Sequence, residues 1–281
     1  MGLGEREGQE MEYAALINVI NCFVSKSPLN RVEKLGLENI FEQPLVGVAA
    51  AGDPLFEKLK DPAVAGENHL LPGEWLPGAK AVLSYFLPFS EKVRRANRKP
   101  GFPAQEWLYG RIEGQQFNEA LSKQIAALIR ERGTAEALIP ALDARFAISD
   151  HLVSSWSERH AAYIAGLGTF SLSRSLITAK GCAGRYGSII TSLELPTTKR
   201  DYTEPFQNCS FCGECLERCP SGAIEPVGEE RKAGMNRSTC KEYLDTKISP
   251  RFKPRYGCGK CQTAVQCEHQ IPQMLSGGRG C

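Results

Sequence analysis

Nine of the eleven cysteines fall within the last 73 of 281 residues, and the first four of those nine read Cys209-x2-Cys212-x2-Cys215-x3-Cys219, closed by Pro220. This spacing folds thiolates around a 4Fe–4S cube, and in chains with two cubes the fourth cysteine of the run serves the second one. Two intervening residues let neighbouring thiolates and the N–H groups between them converge on one cube, and those N–H groups help to hold its negative charge. The remaining ligands must come from downstream, where Cys240 is followed by Cys258-x2-Cys261-x5-Cys267. The crossing rule assigns one cube to Cys209, Cys212, Cys215 and Cys267, and the other to Cys219, Cys240, Cys258 and Cys261. All-cysteine zinc sites share part of this spacing, but four closely spaced cysteines ahead of a proline favour iron and sulfide. His269 could replace a cysteine, yet eight cysteines leave it no vacancy. Of the others, Cys22 reads as a small buried hydrophobe on an apolar helix face, Cys182 as a core or loop thiol in a glycine turn, and Cys281 as part of a mobile tail.

Cysteine usage on this scale in a cytoplasmic chain points to metal or redox chemistry rather than disulfides, because thiols stay reduced there. A cytoplasmic setting is expected because MGLGEREGQEMEYAALINVINCF has acidic residues ahead of its apolar stretch and lacks a basic n-region. Position 6 is Arg where myristoylation wants Ser or Thr, and no twin-arginine signal occurs. No apolar run reaches the ~18 residues that a membrane span requires, so no membrane association is expected. Hydrophobic residues make up 42% and charged residues 23%, an ordinary globular balance. Lys and Arg against Asp and Glu number 22 to 22 before Arg200 and 12 to 10 from it onward. Neither part carries the basic field of a nucleic-acid binder, so no nucleic-acid partner is expected. The run KVRRANRKP (Lys92 to Pro100) puts five positive charges in nine residues; it reads as a solvated loop, with docking of an anionic partner or cofactor as the alternative.

Before the boundary, helical and strand-like patterns alternate. Tyr13 to Val24 has a helical apolar period stopped by KSPLN, and PLVGVAAAG reads as a buried strand followed by the short helix DPLFEKLK with Asp53 as its cap. LPGAKAVLSYFLPF holds a second strand, and RIEGQQFNEALSKQIAALIRERG, ended by Gly133, is the longest helix. TAEALIP and ARFAIS read as further strands, and SWSERHAAYIAGLG as a helix with Ser154 or Ser155 as cap. SLITAKGCAGRYGSIITSLEL reads as two short strands joined in a hairpin. LPTTKRDYTEPFQN is polar and carries two prolines, which sets the boundary. The expected fold is α+β: residues 1–199 form an α/β sandwich that binds a cofactor or partner, and residues 200–281 form a ferredoxin-like domain organised by two 4Fe–4S clusters.

SERHAAYIAGLGTFSLSRSLIT, followed by the cysteine run and the Gly-Cys-x2-Cys-Gln stretch, resembles the epoxyqueuosine reductase and reductive dehalogenase superfamily. The match is carried by Glu158, Arg159, Ala165, Gly166, Leu167, Gly168, Leu176, Ile177, Thr178 and the cysteines, over roughly residues 145–272, with weaker similarity around LPGAKAVLSYFLP. The resemblance implies a nitroreductase-like N-terminal domain holding a corrinoid (cobalamin), one cluster near the cobalt and a second nearer the surface. It places Arg159, Gly166, Gly168, Thr169 and Phe170 near the cofactor, since glycines permit close backbone approach. A helix C-cap accounts for one of the two glycines, not for both. The queuosine enzymes carry an Asp-Thr-x-Pro stretch shortly before the Glu-Arg pair, with the Asp as proton donor. Here SDHLVSSWSERH lacks the Thr and Pro and puts Asp150 two residues too far upstream, leaving Asp150 and His151 as candidate catalytic proton carriers. The queuosine enzymes continue past the clusters into a helical tRNA module and this sequence ends at Cys281, so tRNA is not the expected substrate. It reads as a divergent branch.

Two functions follow. In one, the chain is a reductase whose clusters feed a corrinoid, with FMN as the alternative, and take electrons from a donor such as ferredoxin or flavodoxin. In the other, it is a carrier or reactivator that docks a corrinoid protein, with Lys199, Arg200, Arg251, Lys253 and Arg255 facing an acidic partner. Trp107 and Trp156 read as core residues that could otherwise wall a planar cofactor. No Ser/His/Asp arrangement, phosphate loop or paired acid–base carboxylates can be made out.

Overall fold

A computed structural model of the chain describes residues 3–131, 135–150, 152–225 and 234–273. Its strands are β1 (Leu45–Ala50), β2 (Ala81–Pro88), β3 (Ala137–Leu138), β4 (Gly168–Phe170), β5 (Leu176–Thr178) and β6 (Gly184–Thr191). Its α-helices are α1 (Leu3–Lys26), α2 (Pro54–Lys58), α3 (Pro72–Trp75), α4 (Glu91–Asn97), α5 (Gln105–Glu131), α6 (Glu158–Ile164), α7 (Glu214–Glu217), α8 (Arg237–Tyr243) and α9 (Ser249–Phe252). Two compact units emerge: Met1–Leu87 with Glu113–Leu167 and Gly184–Asp201, and Pro88–Ile112 with Gly168–Ala183 and Tyr202–Cys281. The expected boundary at 199/200 treats the cysteine-rich part as one continuous segment. Instead that unit takes in two earlier segments. The reason is physical: the thiol-dense stretch is short of apolar residues, and Leu172 and Ile177 come from before residue 200 to pack with Cys209, Cys215, Ile224 and Val265.

In the first unit a four-stranded sheet runs β1-β2-β6-β3. β1 and β2 pair antiparallel from Leu45↔Phe86 to Ala50↔Ala81, and β3 pairs antiparallel with β6. Every residue of β2 is buried, as expected of a strand covered on both faces. Leu16, Ile20 and Val24, four residues apart, form the buried stripe of α1. Cys22 lies about 200° round the helix from Ile20 and Val24 and is exposed, so it is not the buried hydrophobe expected from the sequence. Asp53 caps α2 as expected, its side chain accepting from the Leu55 N–H at 3.0 Å.

Three other expectations are corrected. The cap position of α6 is Ser157, because Ser154 Oγ donates to the Trp156 carbonyl (2.6 Å) and Ser155 Oγ accepts from the Ala147 N–H (3.0 Å). ARFAIS forms no strand; Ile148 makes an isolated bridge to Ser154. The strands expected as a hairpin find other partners, β5 pairing with β4 and β6 joining the four-stranded sheet.

In the second unit, β4 and β5 pair from Gly168↔Thr178 to Phe170↔Leu176. The basic run expected as a loop is largely α4, with Arg94 buried. From Arg237 to Phe252 the chain is continuously helical, with a π-helical stretch at Leu244–Ile248 between α8 and α9.

Candidate metal centre

The second unit gathers all eight expected ligand cysteines and sorts their thiols into two sets. Burial pushes Cys215 up to about 12, and its thiol also feels those of Cys267, Cys209 and Cys212. Cys209, raised chiefly by burial, likewise faces Cys267 and Cys212. In the other set, burial raises Cys240, Cys258 and Cys261, and Cys261 feels Cys258, Cys219 and Cys240. Cys261 also faces Cys215, so the two sets adjoin.

Local backbone geometry turns these loops toward sulfur. Phe211 and Gly213 take positive φ (54° and 80°) inside the first Cys-x2-Cys-x2-Cys run, and Gly259 does so (67°) between Cys258 and Cys261. A Cβ on Gly259 would overlap the Trp107 ring, so the loop lies flat on an indole that is itself core. N–H groups then point at the thiols. Burial raises Cys219, but the Ser221 hydroxyl and the N–H groups of Ser221, Ala223 and Ile224 outweigh it and leave the thiol below its ordinary pKa. The N–H groups of Phe211 and Leu172 reach Cys209, and that of Lys260 reaches Cys258.

Cations line the second set. Lys260 is 3% exposed; its Nζ donates to the carbonyls of Asn97 (3.1 Å) and Lys99 (2.6 Å), and its charge faces Cys258. Arg111 is buried beside Tyr256 and Cys240, and Arg218 Nε donates to the Thr263 carbonyl at 3.1 Å. Eight thiols in two sets, met by N–H donors and buried cations, fit two anionic iron–sulfur cubes. Among the described residues no three His, Cys, Asp or Glu side chains close tightly enough to hold a single ion.

The segment after the x5 spacer is pinned by Glu268. Its carboxylate accepts from Arg98 Nη2 at 2.7 Å and from the Ala264 N–H at 2.7 Å, with Arg94 Nε at 3.6 Å. Cys182, 1% exposed, sits with its Sγ 3.7 Å from Cys267 Sγ. Neither feature was assigned to the site from sequence: Glu268 is one acidic residue among many, and Cys182 lies 27 positions before the run.

The expected cofactor residues divide between the units. Gly166 ends α6 in a Schellman arrangement, its own N–H bonding the Tyr163 carbonyl and the Leu167 N–H bonding Ala162. A Cβ there would meet the Thr198 side chain at 3.1 Å and the Lys199 carbonyl at 3.2 Å. Gly168, Thr169 and Phe170 form β4, and a Cβ on Gly168 would overlap the Ile177 carbonyl. The space beside both glycines is therefore filled by the chain itself. Thr169 is fully buried, its Oγ1 accepting from the Asn208 N–H at 2.8 Å. Arg159 and Asp150 are exposed, and His151 lies outside the described residues.

Sequence reading did not single out a buried polar group in the first unit. Both Glu158 oxygens are sealed from solvent, and burial raises this carboxyl to about 7 against the opposing pull of Ser188 and Trp156. Trp156 Nε1 gives its proton to Ser188 Oγ (2.9 Å), and Tyr85 Oη donates to Asn118 Oδ1 (2.7 Å). Of the expected docking cations, Arg200 pairs with Asp53, while Arg251 and Arg255 stack on Phe102 and Tyr109. Among the described residues no helix is long and apolar enough to cross a membrane.

No family model matches the chain. It is 26% identical over 208 residues to the epoxyqueuosine reductase of Synechocystis sp., a match covering 71% of this chain and 66% of that protein. It is 23% identical over 236 residues to the epoxyqueuosine reductase of Bacillus subtilis, covering 74% of this chain and 54% of that one. It thus spans less than two thirds of either curated relative. Its fold is shared with a reductive dehalogenase whose structure is described as suggesting a mechanism for B12-dependent dehalogenation (TM-score 0.54, 14% identity, 95% of this chain and 37% of that one). The class is a mixed α/β protein with a thiol-rich second unit. Within that class, the chain is similar in sequence to epoxyqueuosine reductases and shares its fold with a reductive dehalogenase.

Proposed function

We propose that the chain is an iron–sulfur reductase. Two 4Fe–4S clusters, one on Cys209, Cys212, Cys215 and Cys267 and one on Cys219, Cys240, Cys258 and Cys261, deliver low-potential electrons to a corrinoid held by the first unit. The observation that carries this reading is the sorting of eight thiols into two adjoining sets of four, each met by backbone N–H donors. The similar epoxyqueuosine reductases and the B12-dependent dehalogenase named above supply the direction of the chemistry.

In this reading the N–H groups at Cys219, Cys209 and Cys258 stabilise thiolate, and Lys260 and Arg111 offset the charge of the second cluster. Hydrogen bonds to sulfur and nearby cations both raise a cluster's potential. A bound corrinoid would supply low-valent cobalt as the reductant of the organic substrate. The turn at Gly166–Phe170 is packed on the chain's own atoms, and no step is assigned to it. Proton supply falls to the Glu158 carboxyl, which holds its proton near neutrality, or to Asp150 at the surface.

Anaerobically reconstituted protein is incubated separately with hydroxocobalamin and with FMN, freed of unbound ligand, and examined by visible spectroscopy. Retention of about one corrinoid per chain is the expected result. Retention of neither ligand would overturn the reductase reading and leave a carrier that reduces a partner's cofactor.

A further inference from the structure

Among the described residues nine cysteines lie in the second unit, one more than two cubes require; Cys212 is exposed and the other eight are buried or half-buried. The ninth, Cys182, is held on the first set by its backbone. Its N–H donates to the Cys267 carbonyl at 2.8 Å, and the next N–H, of Ala183, donates to the Glu268 carbonyl at 3.2 Å. Gly181 takes φ 75°, and a Cβ on it would overlap the backbone of His269. The turn that delivers Cys182 is closed by reciprocal Thr178 and Gly181 hydrogen bonds. Segments 181–183 and 267–269 are therefore pressed together, and their thiols stand 3.7 Å apart. Cys182 faces Cys261 and Cys215 as well as Cys267, so it looks onto both sets.

We infer that Cys182 is a ninth, exchangeable ligand that can close the first cluster in place of Cys267. The inference rests on the two-cluster reading above. In the exchange one iron–thiolate bond to Cys267 breaks and one to Cys182 forms. The proton of the entering thiol passes to the leaving thiolate, and no electron is transferred. Sulfur atoms this close, on backbones fixed to each other by two hydrogen bonds, can trade places at one iron through side-chain rotation alone. The spare thiol lets the first cluster persist when Cys267 is lost to oxidation or alkylation.

The test counts iron and records low-temperature EPR spectra on full-length protein reconstituted anaerobically. About eight irons in the parent chain establish the underlying reading, and about four or fewer would sink that reading by itself. Given a parent with eight, Cys182→Ala should keep eight. Cys267→Ala and Cys267→Ser should also keep eight, with an altered EPR signal, and Cys182→Ala/Cys267→Ala should fall to about four. Cys209→Ala, which has no neighbouring spare, should fall to about four alone. The inference is overturned if both Cys267 variants drop to the double variant's iron content, or if Cys182→Ala alone loses a cluster.

Discussion

Glu268→Gln removes one charge from the anchor beside Cys267. The Glu268 side chain is 2% exposed and faces two guanidiniums, Arg94 (8% exposed) at 3.6 Å and Arg98 (39% exposed) at 2.7 Å. The Arg98 contact is half in solvent and contributes about 0–1 kcal/mol. The Arg94 contact is buried, and leaving one partner of a buried pair uncompensated costs about 3–5 kcal/mol. Glutamine still accepts the Ala264 N–H, so the lower end applies, about 3 kcal/mol. At about 2–4 °C per kcal/mol for a chain approaching this size, Tm should fall by about 6–12 °C in anaerobic circular-dichroism melts. Iron from the first cluster should also be released faster to a chelator, since Cys267 is the adjacent residue. A Tm within 1 °C of the parent would refute the reasoning, because the buried pair would then carry no net stability.

Three further outcomes follow from the same geometry. Lys260→Met removes a buried cation facing Cys258; at an effective dielectric of about 20 a unit charge several ångströms away is worth on the order of 1–4 kcal/mol. An EPR-monitored redox titration should place one cluster on the order of 50–100 mV lower, and unchanged potentials would count against the charge shell. Glu158, raised from 4.5 to about 7 in the folded chain, binds more protons folded than unfolded between those values, so stability falls as pH rises through that window. Glu158→Gln should flatten this part of the stability–pH curve and stabilise the chain at pH 8 by on the order of 3 kcal/mol; an unchanged slope in urea titrations would contradict it. Gly181→Ala should cost the first cluster its iron in reconstitution, because the methyl group meets His269 backbone at a φ unfavourable to alanine; full iron loading would show that the turn yields.

Local pattern carried much of the fold. The stripe of α1, the apolar runs of β1 and β2 and the Asp53 cap were readable because each depends on neighbours within a few residues. The run Cys209, Cys212, Cys215 and Cys219 stood out for the same reason, its spacing being local, whereas Cys240, Cys258, Cys261 and Cys267 reach it from later segments. What failed was pairing at a distance. β5 and β6 look like a hairpin in sequence, but no local signal says that β5 prefers β4. Glu268 joins the anchor only because α4, some 170 residues earlier, brings Arg94 and Arg98 to it. Lys260 looks like a surface charge until the Asn97 and Lys99 carbonyls enclose it. Glu158 is ordinary in sequence, and its burial beside Trp156 and Ser188 sets its chemistry.

The most direct measurement is Mössbauer spectroscopy with iron and acid-labile sulfide analysis on chain reconstituted anaerobically with 57Fe. The account expects about eight irons and eight sulfides per chain, with the quadrupole doublets of 4Fe–4S clusters, falling to about half in Cys209→Ala and in Cys258→Ala. Zinc in place of iron, or a parent chain that holds only four irons, would contradict it.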